Sequence, residues 1–187
     1  LTDASIAGSA EFWSGDGAEL AQRVFQGRPL PTWPAYHTHF KMNPPLRTAA
    51  DREAILEGLV DGTLEIIASD HAPHTESEKE VEFDDAPFGI VGLEVELCLS
   101  LMQLYHTGRL SLSGVLEKLT INPARFLKLS EGRGTLSAGA WADITMFDPD
   151  ATWVCDRRAT ASLSQNNPFH GWPMKGRVTG TIVGGRR

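Results

Sequence analysis

The stretch that most restricts the fold runs from Leu64 to His74. Leu64 to Ala68 is an apolar, β-favouring run, cut off abruptly by Ser69, Asp70, His71, Ala72, Pro73 and His74. A helical stretch comes just before it. Thr48 precedes AADREAILEGLVDG, where Ile55, Leu56, Leu59 and Val60 share one helical face and Gly62 offers a stop. That pattern predicts a helix of about ten to twelve residues. Further upstream, FKMNPPLR from Phe40 reads as a short strand running into a double-proline bend, because proline cannot donate to a ladder and biases its predecessor to extended geometry. Strand, helix and strand in close succession is the texture of a βαβ unit in an α/β fold.

After an acidic stretch from Glu76 to Asp85, GIVGLEVELCLSLMQLYHTG is apolar on a helical period, and SLSGVLEKLTINPARFLKL continues as two shorter helices. These helices are expected to cover a sheet. Beyond Gly132, ADITMFDPD, TWVCD and RVTGTIVGG read as short alternating strands that form a small β unit. Residues 1–36 are rich in Gly, Pro, Ala and Trp, with one helical candidate, GAELAQRVF, and read as an irregular, insertion-like segment. Leu rather than Met at position 1 suggests a truncation. The expected organisation is 1–36 irregular, 37–130 α/β and 131–187 β.

With 187 residues, 41 % of them hydrophobic, the chain can bury a core. A net charge of -7 without any run of basic residues gives no footprint for nucleic acid or an anionic membrane. The start has neither a basic n-region nor an h-region, and no apolar stretch is long enough to span a bilayer. Cys98 and Cys155 have no Cys or His nearby at metal-site spacing, so both are expected to be buried thiols in a reducing cytoplasm. A small-molecule or protein partner follows.

The chemistry concentrates after Ala68. One carboxylate and two imidazoles stand just past the C-terminal end of a buried strand, the rim where parallel barrels gather catalytic groups. Asp70 could ligate a metal through one oxygen and take a proton from a metal-bound water with the other. The alternative is an Asx turn with two loop histidines making local hydrogen bonds. Asn43, in Asn43-Pro44-Pro45-Leu46-Arg47, sits one βαβ step upstream and places a polar group at the neighbouring rim.

KMNPPLR, a helix, IIASDHAPHT and then DAPFGIVGLE together resemble the class I dihydroorotases, cyclic amidohydrolases of the amidohydrolase superfamily. The resemblance continues through INPARFLKL and GTLSAGAWADITMFDPD to SQNNPFHGWPMKGRVTGTIVGG. It covers nearly everything from Phe40 onward. DHAPH beside NPPLR favours dihydroorotase over allantoinase or hydantoinase, which usually carry another residue where His74 stands.

The resemblance implies the C-terminal portion of a (β/α)8 TIM barrel, followed by part of a small β-sandwich. It also implies a zinc hydrolase, with one or two ions, interconverting dihydroorotate and carbamoyl-aspartate in pyrimidine biosynthesis. By it Asp70 is the catalytic, metal-contacting carboxylate, Asn43 and His74 bind substrate, and Phe88 and Gly89 lie against the pyrimidine ring. His71 would play a supporting hydrogen-bonding role, orienting Asp70.

The family's metal centre also needs an HxH pair at the first strand, a bridging acidic or carbamylated residue and two further histidines, and the sequence shows none of them. LTD at the start resembles the segment just after the family's TPHH motif. His37-Thr38-His39 supplies an HxH in the wrong place, immediately before NPPLR and with no following Arg. A homo-oligomer is one expected assembly. Another is a complex with aspartate transcarbamoylase, in which a non-catalytic dihydroorotase-like chain would be a structural partner.

Overall fold

A computed structural model of the chain describes residues 33–129 and 131–186. The GAELAQRVF candidate and most of the 1–36 segment lie outside them. In order, the described elements are a 3-10 turn (Thr38–Phe40), α1 (Ala49–Asp61), α2 (Glu76–Lys79), α3 (Glu96–Ser100) running into a π turn (Leu101–Tyr105), α4 (Leu112–Leu119), α5 (Ile121–Phe126), β1 (Ile144–Val154) and β2 (Pro173–Ile182).

Helix α1 begins where expected, because Thr48 and Asp51 satisfy each other reciprocally. The Asp51 N–H donates to the Thr48 hydroxyl at 3.2 Å and the Thr48 N–H to the Asp51 carboxylate at 3.1 Å. Gly62, at φ +90°, ends it. Its buried face is narrower than the sequence suggested: Leu56 and Leu59 are buried while Ile55 and Val60 are exposed. Helix α4 is capped by Ser111, whose hydroxyl accepts from the Gly114 N–H at 3.1 Å.

The chain divides into two compact units, one of residues 33–53, Ser69–Glu94 and Trp153–Met174, the other of Ala54–Ala68, Val95–Thr152 and 175–186. The core of the second unit is Leu56, Leu59, Leu101, Leu104 and Val115, with Leu64, Ile67 and Phe147 packed against it. The apolar run after Val95 is helical, as its period indicated. It widens into a π turn, however, with the His106 N–H donating to the Leu101 carbonyl at 2.8 Å.

Two expected strands are not strands. Neither Phe40 to Arg47 nor Leu64 to Ala68 pairs with a neighbour in the described residues, where the sheet is two-stranded, β1 with β2. The 64–68 run is held by other means. The Lys118 ammonium donates to the Leu64 carbonyl at 2.7 Å, the Asn122 amide to the Glu65 carbonyl at 2.9 Å, and the Ile67 N–H to the Lys118 carbonyl at 3.1 Å. A strand exists only through its ladder, and here the backbone groups find helix-borne partners instead. ADITMFDPD and TWVCD, expected as separate strands, contribute to the single strand β1. The Asp148 carboxylate supports its middle by accepting from the Asp150 N–H at 2.9 Å. No helix of the described residues is long and apolar enough to cross a membrane.

Candidate active site

All five residues singled out for chemistry or substrate binding belong to the first unit. Its 69–74 and 88–93 segments are joined side by side. The Ala72 N–H donates to the Ile90 carbonyl at 2.9 Å, and the Gly92 N–H donates to His71 Nδ1 at 3.0 Å. The approach is close enough that a Cβ on Gly92 would come within 2.9 Å of the Ser69 carbonyl oxygen. His71 therefore acts differently from expectation. Its Nδ1 accepts from the main chain of the facing segment, so its role is to clamp the two segments rather than to bond Asp70.

Asp70 sits between these clamped positions at φ +45°, in the left-handed region that aspartate tolerates better than most residues. Its side chain is exposed and makes no hydrogen bond or ion pair with any described residue. A non-glycine residue held in a sparsely populated conformation by its neighbours is a pattern that clusters at functional sites.

His74, Phe88 and Gly89 are brought together. His74 Nε2 lies 2.9 Å from the Phe88 carbonyl oxygen, which can only accept, so Nε2 carries the proton. Gly89 has φ +126°, and a Cβ there would collide with that of Ala72, so no other residue fits. Phe88 is 57 % exposed and presents its ring to solvent. Asn43 is exposed, in a bend two residues beyond Lys41, whose carbonyl accepts the Gly89 N–H at 3.0 Å.

Sequence reasoning missed what holds these loops. Asn166, only 2 % exposed, donates to the Ala72 carbonyl at 2.9 Å and the Gly89 carbonyl at 3.2 Å, and its Oδ1 accepts the His74 N–H at 3.2 Å. One amide thus fixes the loop after Asp70, His74 itself and the glycine beside Phe88. Two lysines hold the same loop. The Lys41 ammonium donates to the Asp84 carbonyl at 2.8 Å and lies 4.9 Å from the centre of the Phe88 ring, while Lys79 donates to the Pro87 carbonyl at 2.7 Å. Burial, then the neighbouring Lys41 charge, holds the Lys79 ammonium below its usual range. The asparagine pair in SQNNPF is visible in the sequence, but nothing local says what it reaches.

No three His, Cys, Asp or Glu among the described residues group closely enough to hold a metal. The HxH candidate is engaged elsewhere. His37 Nδ1 accepts from the His39 N–H at 3.2 Å, and His39 Nδ1 faces the Arg157 guanidinium at 3.5 Å. A guanidinium beside the imidazoles opposes a cation. Zinc therefore does not fit the described residues by themselves. Cys155 is a buried thiol, as expected, and burial raises its pKa to about 11, which makes it unreactive.

Residues 37–187 match the model of the amidohydrolase family. Among curated relatives, the dihydroorotase of Geobacter metallireducens is 52 % identical over 151 residues, covering 81 % of this chain and 35 % of that protein. The dihydroorotase of Syntrophotalea carbinolica is 54 % identical with the same coverage. The chain thus spans about a third of the length of the curated relatives it matches. Among solved structures, an L-hydantoinase (dihydropyrimidinase) from Arthrobacter aurescens superposes with TM-score 0.74 at 29 % identity, over 90 % of this chain and 35 % of that one. A D-hydantoinase gives TM-score 0.73 at 25 % identity, over 80 % and 33 %.

Proposed function

Because this chain belongs to the amidohydrolase family, we propose that it forms part of a dihydroorotase, a hydrolase of cyclic amides that interconverts (S)-dihydroorotate and N-carbamoyl-L-aspartate in pyrimidine synthesis. In this reading it supplies the last βα units of a (β/α) barrel and part of the β-sandwich that follows. The observation that carries it is the junction of His74 with Phe88 and Gly89, four residues beyond Asp70, where one buried amide, Asn166, holds the main chain of Ala72, His74 and Gly89. The 52–54 % identity to dihydroorotases supports that substrate over a hydantoin, for which the supporting likeness is 25–29 %.

In hydrolysis a water oxygen adds to the ring amide carbonyl. Asp70 takes the proton that water loses and delivers it to the ring nitrogen as the C–N bond opens; cyclisation runs the same transfer in reverse. Asn43 and His74 receive the substrate carboxylate and ring, and the Phe88–Gly89 main chain lies against the pyrimidine. Asp70 is the group that would touch zinc, with the remaining ligands supplied from outside the described residues.

The test is a substrate panel on the protein as its cell makes it. Turnover of dihydroorotate in preference to allantoin and hydantoin is expected, with His74→Ala raising KM by about ten-fold, because the variant loses the ring at the site and leaves the Phe88 carbonyl without its Nε2–H partner. Preferential turnover of allantoin or hydantoin would replace the substrate assignment. No turnover of any ring, together with stable association with aspartate transcarbamoylase, would favour the non-catalytic partner.

A further inference from the structure

The 3-10 turn Thr38–Phe40 borders a cleft of about 380 Å³ lined by Trp33, His37, His39, Lys79 and Arg157. His37 Nδ1 and His39 Nδ1 both serve as acceptors, so the second nitrogen of each neutral ring is an N–H donor. The Lys79 ammonium is already committed to the Thr38 and Pro87 carbonyls. Arg157 has no carboxylate partner among the described residues, its Nε is buried without any acceptor, and its guanidinium lies 5.9 Å from the Trp33 ring.

Partial burial of a guanidinium without a counter-ion is costly, and stacking on an indole offsets little of that cost. Desolvation, then the charges on His37, Arg157 and Lys79, lowers the pKa of His39 to about 4, and burial with Arg157 lowers that of His37. Both rings are thus neutral donors at physiological pH. The acidic groups bordering the cleft, Glu76 and Glu80, are exposed and form no ion pair with Arg157.

We propose that this cleft binds a small oxyanion, a carboxylate or a phosphate, on the Arg157 guanidinium and the free N–H groups of His37 and His39. The anion supplies the acceptors that the donors lack and the negative charge that Arg157 lacks. The site is separate from the Asp70–His74 group, and the inference does not depend on the dihydroorotase reading.

The test follows the histidine ring resonances of the full chain while inorganic phosphate or malonate is added at constant ionic strength, with chloride as the control. Saturable shifts of the His37 and His39 signals are expected, with the apparent pKa of His39 rising by about one unit as the anion settles beside it. Tighter binding of phosphate assigns the phosphate class, and tighter binding of malonate the carboxylate class. Arg157→Gln should abolish the effect and Arg157→Lys should weaken it several-fold. Should Arg157→Gln fail to fold, His37→Phe, which removes one donor and keeps the ring packing on Trp33, should weaken binding several-fold. Shifts that follow ionic strength alone, or equal affinity in wild type, Arg157→Lys and His37→Phe, overturn the proposal.

Discussion

The second unit is centred on Leu56, Leu59, Leu101, Leu104 and Val115, whereas the first unit buries Thr38, His39, Lys41, Lys79, Asn166 and Asn167 among its apolar groups. The apolar cluster is non-directional and depends on volume. The polar set depends on partners, because each buried donor or acceptor must find its complement within a few tenths of an ångström. A region built from helices can be specified by the spacing of leucines. A region built from loops, as substrate-contacting regions commonly are, must be specified by individual side chains reaching distant main chain.

The sharpest probe of the contrast is Leu101→Ala. Leu101 is fully buried, so truncation should cost about 3–4 kcal/mol through lost burial and the residual cavity, as read by denaturant unfolding. A cost under about 1 kcal/mol would mean that the cluster can collapse around the void and is not the second unit's core. Asn166→Ala should cost about 2–3 kcal/mol because it leaves the Ala72 and Gly89 carbonyls and the His74 N–H without their buried partner. Asn166→Leu should be no better, although it restores apolar volume. A neutral Asn166→Leu would erase the distinction between the units.

The smallest effect is a pH dependence. The folded pKa of His39, lowered to about 4, lies below its unfolded value, so between those values the unfolded state binds more protons and stability rises with pH. The contribution is complete above about pH 6.5 and is lost as the pH falls toward 4, with a slope of no more than about 1.4 kcal/mol per pH unit. His39→Gln should flatten the Tm-against-pH curve over that range. An unchanged curve would remove His39 from the set of buried polar groups that matter.

The same division explains what could be read in the sequence. Helices α1 and α4 were legible because their caps and apolar positions are local, down to the Thr48–Asp51 pair, Gly62 and the Ser111 cap. The motif around Asp70 stood out by its residue types and the loop at Phe88–Gly89 only by family resemblance, and the pairing of His74 with Phe88 came only from the structure. Leu64 to Ala68 has strand chemistry but no strand partner among the described residues, and propensity cannot report a missing ladder. Asn166 lies 94 residues from Ala72, and Arg157 lies 118 from His39, distances over which no periodicity or spacing rule carries information. His71 was expected to bond Asp70, whereas its Nδ1 accepts from the Gly92 N–H, a choice decided by the facing segment.

We propose Asp70, exposed and held in an unusual conformation by clamped neighbours, as the proton-transfer group of a cyclic amidohydrolase. Asp70→Asn in the protein as its cell makes it keeps the size of the side chain and removes its basicity. Turnover of dihydroorotate should fall by about 100-fold or more with the melting temperature unchanged, the range expected for loss of a general base. Retained turnover in that variant, with the fold intact, would remove Asp70 from the proton transfer.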